Sequence, residues 1–250
     1  MNRSKTPESE ASQTSPFAFL HGSITVLVAD DDPHVRQLYR DFLAGCPFYR
    51  VLCACDAVEA ESMLREFYPV HVCLLDLGLR EREGDQFYLL KSYGCDTVMI
   101  IVSGSDSLEM GYVAASLGAR GMIHKTVLSK MKMIEQINEK FLESILLPGS
   151  LRDDHLMVKA ANAVKGYEYK TVEEWAVRSG VDEAYLEERY ATVSEAPPET
   201  RLQLYRLYKA ALTDKPADTV SARADFGAQG EAFEGVSLRR LYKTTTNRGK

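Results

Sequence analysis

The sequence predicts an α/β protein: a doubly wound five-stranded parallel sheet, followed by an all-helical domain. Three observations predict it. Short apolar runs alternate with longer amphipathic runs from Ile24 to Leu146. That alternation stops at the turn cluster Pro148-Gly149-Ser150, after which only helical patterns remain. At 250 residues and 45% hydrophobic, the chain is long enough for two ordinary domains with sizeable cores and no disulfide staples.

The elements read as follows. ITVLVA (24–29) is apolar but for Thr25, the near-continuous run of a strand covered on both faces. Asp32-Pro33 opens a helix over 33–44, with Gly45 at its end. YRVLCA (49–54), VHVCLL (70–75), TVMIIV (97–102) and GMIH (121–124) are the remaining strands. Helices over 57–67, 85–93 and 107–117 alternate with them, and Gly22, Gly94 and Gly118 fall near turns. A last helix over 127–146 carries Val127, Met131, Ile134, Phe141 and Ile145 on one seam, interrupted by Asn138. That seam packs against the sheet or serves as a dimer or interdomain helix, in which an Asn fixes register. Residues 1–20 read as a polar arm, 21–148 as the α/β domain and 149–250 as the helical one.

Charge and composition exclude some functions. The net charge of −6 rules out a basic coat over the whole chain, though not a local patch. No apolar run reaches the length of a membrane span, and no signal peptide is visible, so a cytoplasmic protein is expected. Cys46, Cys53, Cys55, Cys73 and Cys95 contain no C-x-x-C, and are expected to be small buried residues. His21, His34, His71, His124 and His155 are scattered and suggest no metal site.

Function in open parallel sheets gathers at the carboxyl ends of the strands. There the sequence puts Asp30-Asp31-Asp32 after the first strand and Asp76 after the third. Ser103 follows the fourth, and Lys125 the fifth. Carboxylates crowded at one edge need a cation, and oxygen ligands with few protein groups suit Mg²⁺. Such a site can accept a phosphoryl group on one carboxylate, with a metal, a Lys and a hydroxyl orienting its oxygens. Helix capping is the alternative for these acids. It fits Asp32 before Pro33 but not Asp76, which precedes a charged, Gly-containing loop.

Residues 24–146 resemble the CheY-like, flavodoxin-like receiver domain of two-component response regulators. The stretches that carry the resemblance are VLVADDDPHVRQLY, HVCLLDLGLREREGD, VMIIVSG and ARGMIHK. The resemblance implies that Asp76 takes phosphate from a histidine kinase or phosphotransfer protein. It makes Asp30, Asp31, Asp76 and the carbonyl of Gly78 the Mg²⁺ ligands, with Asp32 a further candidate. Ser103 is then the hydroxyl that turns toward the phosphoryl group, and Lys125 its cation. Phosphorylation would shift the helix 4–strand 5 face. A homodimer on phosphorylation is a further expectation, through that face with helix 5 or through the linker helix. No enzymatic activity beyond slow self-dephosphorylation is expected.

Three positions depart from the family pattern. Thr126 replaces the proline after the lysine, so Lys125 is expected to be presented differently, because a non-proline cis bond costs about 2.5–4 kcal/mol. Arg80 replaces a loop proline. Met122 stands where the family has an aromatic.

KTVEEWAVRSGVDEAYLEERY (170–190) has a helix-turn-helix shape, and 156–212 resembles the first half of an AraC-type DNA-binding domain. Residues 217–245 would supply the second half, with 236–243 as recognition helix and Arg239, Arg240 and Lys243 as DNA contacts. Residues 151–199 hold 6 basic and 11 acidic residues, whereas 200–250 hold 10 basic and 5 acidic. The acidic half is hostile to phosphate and the basic half is not. The expected output is transcriptional. The alternative is a protein-binding module whose surface is the acidic segment. Trp175, Tyr185 and Tyr190 are expected in the core.

Overall fold

The computed structural model describes residues 22–79, 85–104, 107–194 and 196–213. Its strands are β1 (Ile24–Ala29), β2 (Tyr49–Ala54), β3 (Val72–Asp76), β4 (Val98–Ser103) and β5 (Gly121–His124). All pair in parallel, in the order β2-β1-β3-β4-β5. The helices interleaved with them are α1 (Pro33–Ala44), α2 (Ala57–Glu66), α3 (Asp85–Tyr93), α4 (Leu108–Ser116) and α5 (Lys130–Leu146). Then come α6 (His155–Lys165), α7 (Val172–Ser179), α8 (Glu183–Val193) and α9 (Pro198–Thr213).

The apolar strands are covered on both faces, as their sequences require. Ile24, Val26, Val28, Leu74 and Ile100 point to one core with Tyr39 and Leu43 of α1 and Met133 and Ile137 of α5. Leu27, Cys73, Leu75, Met99 and Ile101 point to the other, with Ala60 of α2, Leu89 of α3 and Ala114 of α4. With α1 and α5 on one face and α2, α3 and α4 on the other, the sheet is doubly wound. Helix starts are set by side chains: Asp32, Asp56, Ser107, Ser129, Asp154, Thr171 and Asp182 each cap one.

The helices after Pro148 share the first of these cores. Leu147, Leu151, Met157, Trp175, Leu186, Tyr190, Leu202, Tyr205 and Tyr208 continue it without a break. Arg201 of α9 is fully buried and donates to the Ile145 carbonyl at 2.7 Å and to Ser194 Oγ at 2.6 Å. Its guanidinium lies 4.7 Å from the centre of the Tyr190 ring, and the Tyr190 hydroxyl donates to the Leu146 carbonyl. Two of the open carbonyls in the last turn of α5 are thus satisfied by side chains of α8 and α9. Phe141 meets Tyr208 edge to face at 5.2 Å, and Tyr208 reaches Ser23, just before β1, at 3.1 Å.

A second seam lies nearby. Arg120 donates to the Leu147 carbonyl at 2.9 Å, and Arg152 to the Gly118 carbonyl at 3.4 Å. Gly149 approaches the Cys95 backbone so closely that any Cβ would collide with it. Ser23, Cys95 and Arg120 all lie just before strands, so the helical segment docks at the amino-terminal edge of the sheet.

This arrangement corrects the reading of α5. Lys125–Val127 form a 3₁₀ turn, so α5 begins at Lys130. Val127 and Met131 are exposed, and the buried seam is Met133, Ile137, Phe141 and Ile145. Asn138 accepts a hydrogen bond from Tyr49, which fixes register within the chain. Trp175 and Tyr190 are buried as expected, whereas Tyr185 is half-buried and donates to Asp154 at 2.7 Å. Cys73 is buried, but Cys55 and Cys95 are exposed, against the expectation of small core residues. Cys55 lies in the capping box of α2, where Glu59 accepts from its backbone N–H at 2.7 Å.

His71 is buried at the same lower edge. Its Nδ1 accepts from the Thr25 N–H at 2.9 Å, and its ring meets Phe141 at 5.9 Å. Burial lowers its pKa to about 4. The unfolded chain therefore takes up a proton near pH 6.5 that the folded chain refuses until about pH 4. Stability from this group is complete at neutral pH and is lost as pH falls through that window. Urea unfolding at pH 5 is expected to show about 2 kcal/mol less from this group than at pH 7. His71→Asn, which keeps an acceptor for Thr25, is expected to remove that share of the acid sensitivity.

Candidate functional site

The carboxyl ends of β1, β3, β4 and β5 bring the sequence's candidates to one edge. Asp30 follows β1 directly and is almost fully buried; Asp76 ends β3 and is nearly as buried. Lys125, the first residue after β5, places its ammonium 2.9 Å from Asp30 Oδ2 and 2.9 Å from Asp76 Oδ2. A ligand oxygen of Asp31 joins those of Asp30 and Asp76, all within 4.8 Å of one another. Ser103, buried at the end of β4, lies one residue beyond Val102, the register partner of Asp76.

Backbone and neighbouring side chains fix these groups. Asp30 Oδ1 accepts from the Asp32 N–H at 3.0 Å. Asp76 Oδ1 accepts from the Gly78 N–H, also at 3.0 Å. A Cβ at Gly78 would lie 3.2 Å from Asp76 Oδ2, so the carboxylate would have to give by a few tenths of an ångström. Arg36, one turn into α1, donates to the Asp30 carbonyl at 2.7 Å and ties the acidic loop to its helix. Nothing in the sequence marked Arg36, which reads as an ordinary helix-surface cation. Asp32 follows the capping alternative, accepting from His34 N at 2.8 Å, and that bond holds its carboxyl below the usual range.

The electrostatics are those of a crowded acidic edge with the Lys125 ammonium set between two of its carboxylates. Desolvation raises the pKa of Asp30, with the bond to Lys125 opposing it. For Lys125 burial works against the charge, but the hydrogen bonds to Asp76 and Asp30 outweigh it, and its pKa rises. The Tyr39 hydroxyl, beneath the site, is pushed up to about 12 by burial. The ammonium at physiological pH is therefore a fixed positive charge between two carboxylates.

Lys125 reaches both acids with Thr126 in place of proline, so the substitution does not displace the ammonium from them. The residues after it turn as a short 3₁₀ segment, with His124 as its cap. The scatter of histidines along the sequence had hidden this role, and adjacency to Lys125 was the one signal for it. Met122 is exposed, and its sulfur packs beside Gly111 of α4. Arg80 lies outside the described residues, as do Arg239, Arg240 and Lys243, the DNA contacts expected from the sequence.

Two consecutive helices, α7 and α8, occupy the stretch read from the sequence as a helix-turn-helix. Gly180 closes α7 in the left-handed conformation at φ +60, and Asp182 caps α8. The exposed face of α8 carries Glu183, Glu187 and Glu188. Glu173, Glu183, Glu187 and Glu199 line an open groove of about 330 Å³ between α7, α8 and the start of α9. No described helix is long and apolar enough to cross a membrane.

Residues 26–138 match the family model of the response regulator receiver domain. A 63-residue stretch is 44% identical to the transcriptional regulatory protein AruR of Pseudomonas aeruginosa, covering 24% of this chain and a quarter of that protein's length. Among solved structures, a CheY-like receiver domain protein from Methanospirillum hungatei aligns at 25% identity, over 47% of this chain and 93% of that one, with a TM-score of 0.42. The response regulator domain of Thermotoga maritima CheB aligns at 24% identity, over 47% of this chain and 96% of that one, also at 0.42.

Proposed function

We propose, from the premise that residues 26–138 are a response regulator receiver domain, that this chain is a phosphorylation-controlled response regulator. The observation that carries the reading is the Lys125 ammonium, 2.9 Å from two buried carboxylates, with Asp31 beside them. Asp76 is the acceptor. The donor is a phosphohistidine of a sensor kinase or phosphotransfer protein. The bond from phosphorus to the imidazole nitrogen breaks as the bond to an Asp76 oxygen forms, and the imidazole leaves and takes up a proton. Lys125 stays beside the new phosphoryl oxygens, and Ser103 turns toward them.

The donor set fits a hard divalent cation: three carboxylates converge, all through oxygen. Asp30, Asp31, Asp76 and the Gly78 carbonyl would hold Mg²⁺, which would neutralise charge on the transferring group. A cytoplasmic location is part of the reading. So is a homodimer formed on phosphorylation. Leu108, Tyr112, Met122, Val127 and Met131, all exposed around α4, β5 and the start of α5, favour that face for the second copy.

The output we infer is transcriptional. Residues 236–250 hold five basic residues and no acid, and the relative matched over part of its length is a transcriptional regulator. Arg239, Arg240 and Lys243 are the proposed DNA contacts. The acidic groove between α7 and α9 favours a second reading, in which the helical segment binds a basic protein. Genomic DNA capture with the full chain, with and without beryllofluoride and Mg²⁺, separates the two. Sites that sharpen with the phosphate mimic, and whose binding falls steeply with salt, are expected for the first. A folded, mimic-bound protein that enriches no DNA selects the second.

A further inference from the structure

We propose that His124 is a positioning residue for the phosphoryl site, its imidazole holding the turn from which Lys125 reaches Asp30 and Asp76. The proposal rests on reading Asp76 as the acceptor. Its basis is the backbone at the end of β5. His124 is extended, with φ −78 and ψ 130, and Lys125 starts a 3₁₀ turn of three residues. A turn this short gains almost nothing from helix cooperativity. A backbone bond that closes it, Leu128 N–H to the Lys125 carbonyl, is long at 3.4 Å.

The imidazole supplies what the turn lacks. The Thr126 N–H donates to His124 Nδ1 at 3.2 Å, and the Thr126 hydroxyl lies 2.6 Å from the same nitrogen. Nδ1 is therefore the acceptor, and the proton of the neutral ring belongs on Nε2. A side-chain acceptor on the cap residue satisfying the second N–H of a turn is the arrangement by which Asn or Asp caps a helix. Here a histidine performs it.

The cap is itself anchored. His124 is the register partner of Ser103, so the imidazole is carried by the strand position beside the hydroxyl. A lysine has four side-chain torsions and no rigid plane, so its ammonium goes where its backbone origin allows. Lys125 must meet two carboxylates at 2.9 Å at once. Loosening the turn changes the origin of the side chain and the fraction of time that both bonds are made. In this proposal His124 acts through Lys125.

The test uses the full chain and two substitutions. His124→Ala removes the acceptor, and His124→Asn keeps one at cap geometry. The first readout is the Lys125 ammonium signal in lysine ¹⁵N NMR without phosphate or metal, assigned by its loss in Lys125→Arg. The second is phosphoryl uptake from acetyl phosphate with Mg²⁺. His124→Ala is expected to move the Lys125 signal toward that of a solvent-exposed lysine and to slow uptake about fivefold, the population change that one lost cap bond gives. His124→Asn is expected to restore both. An unchanged Lys125 signal in His124→Ala would overturn the proposal, as would an Asn variant as defective as the Ala variant. A wild type that takes up no phosphoryl group would defeat the acceptor assignment instead, while the ammonium signal still decides whether His124 positions Lys125.

Discussion

Asp76→Asn is expected to lower phosphoryl uptake from acetyl phosphate with Mg²⁺ by at least about a hundredfold while leaving the protein folded. The amide has almost the shape of the carboxylate, and its oxygen can still accept the Gly78 N–H that Asp76 accepts at 3.0 Å. Lys125 keeps its bond to Asp30 at 2.9 Å. What is lost is the anionic nucleophile and one of three converging ligands. Stability is expected to hold or rise. Burial raises the pKa of Asp30, and the neighbouring Asp76 charge adds to that, so removing one carboxylate relieves repulsion. Uptake measured by intact mass, alongside a urea melt, separates loss of chemistry from loss of fold. A variant that labels like the wild type would place the acceptor on another carboxylate of the edge.

The edge was legible because each of its polar groups directly follows an apolar run. Strands such as ITVLVA and TVMIIV are buried on both faces, and that pattern fixes where they end. Parallel pairing then brings Asp30, Asp76, Ser103 and Lys125 to one side without further information. Side-chain supports of the edge were harder to read. Arg36 donates to a backbone carbonyl and His124 accepts from a backbone N–H, and no periodicity encodes such bonds.

The helical segment was legible in its elements but not in its docking. Pro148-Gly149-Ser150 reads as a break between domains, because turn residues mark linkers. In the fold Gly149 is small for another reason, namely its close approach to the Cys95 backbone. Periodicity carried the α5 seam back to Val127, but a 3₁₀ turn occupies Lys125–Val127 and shifts the phase of the helix that follows. Arginines among the tyrosines and leucines of α9 read as solvated. Arg201 is instead the most buried charge in the described chain.

Arg201→Leu is expected to cost about 3–5 kcal/mol, a loss on the scale of removing one partner of a buried charged network. Leucine fills part of the volume but donates nothing. The Ile145 carbonyl and Ser194 Oγ lose bonds of 2.7 and 2.6 Å in a place water does not reach. The Tyr190 ring loses the guanidinium above it. Arg201→Lys is expected to recover only part, because one ammonium cannot serve a carbonyl, a hydroxyl and a ring in the plane of a guanidinium. Urea unfolding followed at two probes reads more than the magnitude. Trp175 reports on the helical segment, and hydrogen exchange in β1 and β3 reports on the sheet. Coincident transitions, both shifted to lower urea, are expected from the continuous core. The segment then cannot act as a tethered domain that swings free on phosphorylation. In the proposed reading a signal from Asp76 would travel through packed elements that span both edges of the sheet, and α5 is one of them: it begins near the carboxyl-terminal edge and ends under Arg201 and Tyr190. If Trp175 were released first, with the sheet intact, the docking would instead be a separable step, open to regulation in its own right.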